Sequence, residues 1–253
     1  MKRLLSVILA GIVFWTLSFA VEVSEILQRW ENSTYKAERI FLEKYGDDAV
    51  RMRYEIVYKW ETNKIVKVDS PQEIVWLRND DGCWIGSEVL YMVPIDIKDL
   101  EDIALEAAQE ASDVKLKEDN DGYTLVYSTD RGSFFIKLSK DFLPLLIRRK
   151  LMKLTMEMEY KEYYSEVPKE EEVKKEFKLS DKKAFPDEIA RILRRLEWFS
   201  IEREPDSIVI KGVYRNRMIS IDITPLRRGR FRRFGRYFVF SKDKEFMEDL
   251  LGQ

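Results

Sequence analysis

Carboxylates, lysines, tyrosines and serines are nearly all that this sequence offers for catalysis. Its 253 residues include 46 Asp and Glu and 44 Lys and Arg, with one Cys and no His. A chain without His has no Ser-His-Asp triad, no Cys-His dyad and no His-ligated metal. One Cys excludes an intramolecular disulfide and any multi-Cys zinc or iron–sulfur site. Cys83, between Gly82 and Trp84, reads as a small buried hydrophobe. Paired carboxylates could hydrolyse glycosides, and Asp47-Asp48 and Asp80-Asp81 are the obvious pairs. Both lie in turn sequences, where Asp bonds its own backbone. Adjacent turn residues do not define an opposed acid and base. No EF-hand spacing is present. The expectation is a protein that binds rather than catalyses, with no cofactor and no metal.

Binding chemistry is better represented. The stretch RRGRFRRFGR (227–236) holds Arg227, Arg228, Arg230, Arg232, Arg233 and Arg236, with Phe231 and Phe234 interleaved. Guanidinium forks suit phosphate and carboxylate groups. Basic charge with aromatic wedges also suits an anionic membrane or an envelope protein. A solvated hairpin docked on the acidic remainder of the chain is the plainer alternative. Nucleic acid would suit the composition, but not an exported protein.

Export is expected from the first twenty residues. Met1-Lys2-Arg3 is followed by an apolar run from Leu4 to Leu17, then by Ser18-Phe19-Ala20. This is the pattern of a signal peptide over 1–20 with cleavage before Val21. The run is short of the ~20 residues that a spanning helix needs, which makes an uncleaved anchor the lesser alternative. Asn32-Ser33-Thr34 matches a glycosylation acceptor by its three residues alone. High Glu, Lys and Arg with nine Asn and Gln fits a thermophile source.

Charge divides the mature chain. Residues 21–183 hold 27 basic and 35 acidic side chains, whereas 184–253 hold 15 and 11. Between them SEVPKEEEVKKEFKLSDKK (165–183) has linker composition. The organisation read from this is a first domain over 21–164, a charged linker over 165–183 and a small basic domain over 184–253, the alternative being a solvated helix that joins two parts of one domain.

The elements that would position any site follow from periodicity. Val23, Ile26, Leu27 and Trp30 fall on one helical face, with Ser24 as a candidate cap. From 50 to 60 the period is two. Val50, Met52, Tyr54, Ile56, Tyr58 and Trp60 form an apolar face, and Arg51, Arg53, Glu55 and Lys59 a wet one. Strands are predicted over 34–45, 64–68, 73–78, 83–86, 113–118, 122–128, 133–138, 145–150 and a last one carrying Met152 to Tyr160. One helix interrupts them, with Asp96 as its cap and Leu100, Ile103, Ala104, Ala107, Ala108 and Ala111 as its apolar face. The second domain reads as a helix after Pro186, strands over 198–203, 207–214, 217–224 and 236–241, and a closing helix with Phe246, Met247, Leu250 and Leu251 inward. The fold class is α+β.

Several stretches together resemble a family. They are the Ser33-Thr34-Tyr35 strand entry, PQEIVWLRNDDGCWI (71–85), a Pro-initiated helix from 94 and DGYTLVYSTDRGSFFIKLSKDFLPLLIRRK (121–150). Over about 23–164 this resembles the lipoprotein-carrier superfamily. Its members are the LolA and LolB outer-membrane lipoprotein-sorting proteins and the two-domain RseB and MucB sigma-E regulators. The resemblance implies a strongly curved antiparallel half-barrel with an inserted helical lid and an apolar cavity for acyl chains, followed here by a small α+β domain. Its candidate lining is Met52, Tyr54, Ile56, Trp76, Trp84, Leu154, Met156 and Met158, with Leu100 and Ile103 on the lid. Plain core is the alternative for the same residues. Arg39 and Arg53 are candidates for a headgroup. The expected function is that of a monomeric periplasmic carrier or chaperone of lipid or lipoprotein. The alternatives are an envelope-stress regulator that binds a partner through the Arg-rich domain, and a structural protein with a filled interior.

Overall fold

The computed structural model describes residues 22–46, 49–69, 73–203 and 205–252. The expected signal peptide and Asp47-Asp48 lie outside the described residues. The chain is α+β, with a large, mostly antiparallel open sheet and few helices. Helix α1 (Val23–Glu31) opens the described chain. Strands β1 (Thr34–Tyr45), β2 (Ala49–Trp60), β3 (Asn63–Asp69), β4 (Ile74–Asn79), β5 (Gly82–Gly86) and β6 (Val89–Val93) form a meander. Helix α2 (Leu100–Glu110) follows. A second meander comprises β7 (Val114–Asp119), β8 (Gly122–Thr129), β9 (Gly132–Ser139), β10 (Pro144–Leu151) and β11 (Leu154–Tyr163).

The two meanders join because β1 pairs antiparallel with both β2 and β11. The sheet order is then β6-β5-β4-β3-β2-β1-β11-β10-β9-β8-β7. Arg78 of β4 bonds Asp102 of α2, and Tyr127 of β8 donates to the Ala104 carbonyl of the same helix. In a flat sheet β4 and β8 would stand about 34 Å apart, at roughly 4.8 Å per strand. They meet residues two apart on one helix, so the sheet curls around α2. The Ala face of α2 permits this close approach: Ala104, Ala107 and Ala108 are buried. One core cluster joins α1, α2, β1–β4 and β8–β11 on the concave side.

Gly122, at the start of β8, has φ +149°. A Cβ there would meet the Leu138 carbonyl oxygen at 2.0 Å. We expect Gly122→Ala to destabilise the protein by about 2 kcal/mol or more, through backbone conformation and clash together. A urea midpoint unchanged from wild type would refute this.

Segment 165–183 is laid over the sheet as a strap. It contains α3 (Glu170–Lys174) and β12 (Lys178–Lys183), and β12 pairs parallel with β6 as an outer strand of the large sheet. Trp60 Nε1 donates to the Pro168 carbonyl at 2.9 Å, and Asn63 Nδ2 to Glu170 at 2.9 Å. Val173 and Phe177 cover a second apolar cluster of Tyr58, Ile65, Val75, Leu77, Trp84 and Leu90 on the convex face.

The remaining chain forms α4 (Asp187–Leu193), β13 (Trp198–Arg203), β14 (Ile208–Tyr214), β15 (Arg217–Thr224), β16 (Arg232–Phe234), β17 (Tyr237–Ser241) and α5 (Lys244–Leu251). Its antiparallel sheet runs β13-β14-β15-β17-β16, with α4 and α5 sharing its core. This unit touches the first directly. Arg149 Nη2 pairs with Glu197 at 2.8 Å, Arg194 Nη2 donates to the Pro94 carbonyl at 2.8 Å, and Val213 belongs to the concave core.

Several element boundaries differ from those the sequence suggests. The cap of α2 is Asp99, not Asp96, and Asp102 completes the capping box. The same chemistry sits three residues later because Asp96 to Lys98 remain outside the helix. Ser24 makes no capping bond. Met152 stands in the turn before β11 with φ +48° and is exposed. Strands β6, β12 and β16 were not anticipated, β12 lying in the stretch read as a charged linker.

Candidate functional site: a buried ion lattice beside a mixed cavity

The concave face of the sheet carries charge where an apolar wall was expected. On β2 the inward positions are Glu55, Val57 and Lys59, all buried. Their apolar neighbours Ile56, Tyr58 and Trp60 face the strap side. The face read as wet is therefore the interior one. Burial of these charges is tolerable only because each finds an opposite charge and hydrogen bonds.

Lys64, fully buried on β3, is the centre. Its ammonium lies 3.1 Å from Asp99 Oδ1, 3.1 Å from Glu101 Oε2 and 2.9 Å from Asp102 Oδ1. All three acids belong to the start of α2, where carboxylates also favour the helix dipole. Arg39 of β1 bridges Glu55 Oε2 and Asp99 Oδ2, each at 2.8 Å. Glu101 also accepts from Trp30 Nε1 at 3.0 Å, Tyr35 OH at 2.7 Å and Tyr160 OH at 3.1 Å. Lys59 donates to the Trp30 and Glu31 carbonyls, both at 2.8 Å, and so closes the end of α1. Arg78 Nη2 meets Asp102 at 2.9 Å. Arg39, Lys59, Lys64 and Arg78 thus balance Glu55, Asp99, Glu101 and Asp102.

The lattice sorts its protons unevenly. Burial raises the Glu101 carboxyl, but Lys64 and Lys59 outweigh it and hold the group down to about 2. Asp99 is likewise held well below the usual range, burial being overcome by Lys64 and Arg39. Asp102 moves up, because burial and the Asp99 charge outweigh Lys64 and Arg78. Burial pulls the Lys59 ammonium down. For Lys64 burial acts the same way, but the three carboxylates reverse it and hold the ammonium above its ordinary value.

A cavity of about 1380 Å³ opens beside the lattice, between the concave sheet and the second unit. Arg39, Glu55 and Asp99 of the lattice line it with Arg53 and Glu43, and so do Lys98, Glu106 and Arg131 of the first unit and Arg194, Arg195 and Glu197 of the second. Its apolar walls include Phe41, Val68, Trp76, Ile85, Leu100, Ile103 and Met158 from the first unit, and Leu196, Phe199 and Ile201 from the second. Arg53 lies 4.5 Å over the Phe41 ring. Its Nε is buried without a hydrogen bond, 3.5 Å from Glu55 Oε1.

The ten residues proposed from sequence divide three ways. Trp76, Leu100, Ile103 and Met158 line the cavity, as does the half-exposed Met52. Leu154 and Met156 are buried in the concave core away from the lining. Ile56 and Trp84 belong to the convex cluster under the strap, and Tyr54, sharing the Ile56 side of its strand, is exposed. These three are corrections: strap and sheet bury an apolar layer on the far side, so an apolar stripe did not identify the inner face. Arg39 and Arg53 both reach the cavity. The contribution of the second unit was not anticipated. Phe199 and Ile201, which lie in the strand predicted over 198–203, were its one visible signal.

Arg227, Arg228, Arg230, Arg232, Arg233 and Arg236 stand apart from the cavity and are exposed. Cys83 is buried, and burial pushes its thiol up. Among the described residues, no group of three or more Cys, Asp or Glu could hold a metal ion. No described helix is long and apolar enough to cross a membrane.

No family model matches the sequence, and no curated protein matches it. Solved structures do resemble the fold. One is the crystal structure of a LolA superfamily protein from Nitrosomonas europaea, at 13% identity and TM-score 0.32, with 67% of this chain and 97% of that chain covered. Another is a DUF1329 family protein from Desulfovibrio piger, at 12% identity and TM-score 0.32, with 58% and 93% covered.

Proposed function

We propose that this chain is an exported carrier that holds acyl chains of a lipid or lipoprotein in the cavity between its two units. The cavity itself carries the reading. At about 1380 Å³ it exceeds the roughly 300–1,000 Å³ of ordinary small-molecule sites. Its lining mixes apolar walls with charged side chains from both units. Apolar burial would stabilise a bound chain by roughly 0.8 kcal/mol per CH₂. Arg53, with its unbonded Nε, suits the phosphate, carboxylate or ester end of such a ligand. The chain then works by binding, and Glu55 and Asp99 at the cavity are engaged by Arg39 rather than poised as acid and base.

The lattice also bears on release. Helix α2 is fastened through Asp99, Glu101 and Asp102 to Lys64, so opening it as a lid would strip several buried ion pairs at once. The second unit closes the other side through Arg149–Glu197, Arg194–Pro94 and the packing of Val213. Its movement, which leaves the Lys64 cluster intact, is the route we propose for cargo.

The test is native mass spectrometry of the purified protein, followed by organic extraction. An adduct of acyl-chain mass is expected, and is expected to be lost in Ile85→Trp, which fills the cavity from a half-buried wall position. A mass that stays clean after incubation with lipids and a triacylated lipopeptide would overturn the reading.

A further inference from the structure

The Arg-rich hairpin has no role in the cavity. It sits at the opposite edge of the second sheet. Strand β13 supplies Phe199 and Ile201 to the cavity, and β16 closes the order β13-β14-β15-β17-β16. The two edges are about 19 Å apart at roughly 4.8 Å per strand. Whatever the hairpin meets therefore need not compete with cargo.

The segment is held, not loose. Phe234 is buried in the core of the second unit, with Arg191 stacked 4.9 Å over its ring. Phe231 packs on Phe240 with ring centres 5.6 Å apart. Gly235, at φ +59°, lets the turn lie so close to α4 that a Cβ would meet Glu188 at 2.6 Å. Two aromatic side chains and one tight approach thus fix the backbone from which six guanidinium groups project.

Most of that charge is uncompensated. Arg228 lies 3.6 Å from Asp206, and Arg236 lies 3.4 Å from Glu188. Arg227, Arg230, Arg232 and Arg233 have no carboxylate partner among the described residues. Arg230 lies 4.8 Å over Phe240, and Arg233 Nε donates to the Gly235 carbonyl. Leu226, just before the run, is 52% exposed. At the tip, a Cβ on Gly229 would meet nothing within 4 Å. The surface is a projecting edge whose six arginines are all exposed and line neither described cavity, and it pairs spread positive charge with exposed or half-exposed apolar groups. A pocket would suit a single phosphate or a short acidic peptide. A projecting edge with Leu226 and Phe231 among arginines suits a plane of anionic headgroups, where charges rest on phosphates and apolar side chains enter the interface.

We infer that the hairpin around Arg227, Arg230, Arg232 and Arg233 is a docking surface for anionic membrane. It would hold the protein reversibly at a bilayer with the cavity facing away from the contact edge.

Co-sedimentation of the purified chain with phosphatidylcholine vesicles, with and without phosphatidylglycerol, tests this. The apolar run 4–17 is common to all proteins compared, so the reading is the difference between the two vesicle types. We expect a clear preference for the phosphatidylglycerol vesicles that weakens as salt is raised. The preference should fall at least about tenfold when the four arginines are changed to Gln, and persist when they are changed to Lys. These side chains are exposed, and the melting temperatures of both variants should match the wild type. No preference for anionic vesicles, a preference insensitive to salt, or one retained by the Gln variant would each overturn the inference. So would loss in the Lys variant, which would point to a shaped bidentate site on a protein partner. The salt titration needs only the unaltered chain, and acyl-chain retention in the cavity is measured separately. Failure of the docking surface is thereby distinguished from failure of the carrier reading.

Discussion

A Lys64→Met variant is expected to lose about 3–5 kcal/mol of stability, the largest effect of any single substitution considered. Lys64 stands within 3.2 Å of Asp99, Glu101 and Asp102. Methionine fills much of the same volume, so the loss is not a cavity effect. It arises because four buried carboxylates would remain with three cations, and an uncompensated buried charge is what makes breaking such a cluster costly. Replacing a whole pair with apolar groups can be neutral, whereas removing one partner is not. The double variant Lys64→Met with Glu101→Gln restores the balance. Its amide oxygen can still accept from Tyr35 and Tyr160, which share one oxygen of Glu101, while Trp30 Nε1 loses its acceptor on the other. The double variant should recover on the order of 1–3 kcal/mol of coupling. Urea unfolding of the two single variants and the double variant measures this. A loss below about 1 kcal/mol in Lys64→Met would show that water reaches the site or that the carboxylates simply take up protons.

The lattice also explains what was readable in the chain and what was not. Local periodicity found α1, with Ile26, Leu27 and Trp30 buried, and most strands to within a residue or two. Turn residues found the hairpins, since Asn79 and Asp119 accept from backbone amides two residues on. The direction of a strand's faces was not local information. Strand β2 alternates as expected, yet Glu55 and Lys59 point to the core because their partners Arg39 and Glu101 lie elsewhere in the sequence. Alternation says that two faces differ. It does not say which face a strap will cover, and Val173 and Phe177 cover the apolar one. The cavity was half legible for a related reason. Trp76, Leu100, Ile103 and Met158 could be proposed from the first unit, but the opposite wall comes from β13, in a region whose composition had set it apart. A useful signal was present in Asp99-x-x-Asp102, with Glu101 between and Lys59 and Lys64 on adjoining strands. Acid at a helix start and base at inward strand positions can find one another only if the sheet curls around that helix.

Acid should unfold this protein through the same cluster. Glu101 is held down to about 2 from an ordinary 4.5, and Asp99 is held low with it. A carboxyl whose folded pKa is depressed binds fewer protons folded than unfolded. Its contribution is present in full above about pH 4.5 and is lost as pH falls toward about 2. For Glu101 the amount is on the order of 3 kcal/mol. Asp102 is shifted the other way and binds its proton more firmly when folded, so it offsets part of the loss. Net stability should therefore fall between about pH 4.5 and about pH 2, with a slope that Glu101 dominates. In Glu101→Gln that group no longer titrates. The variant should be less stable near neutrality, where Lys64 has lost a partner charge, and its stability should fall less steeply across the acid range. Urea midpoints collected from neutral to acid pH for both proteins separate these two effects. If the slopes coincide, protons released on folding come from surface carboxylates, and the lattice contributes packing and hydrogen bonds but no acid sensitivity.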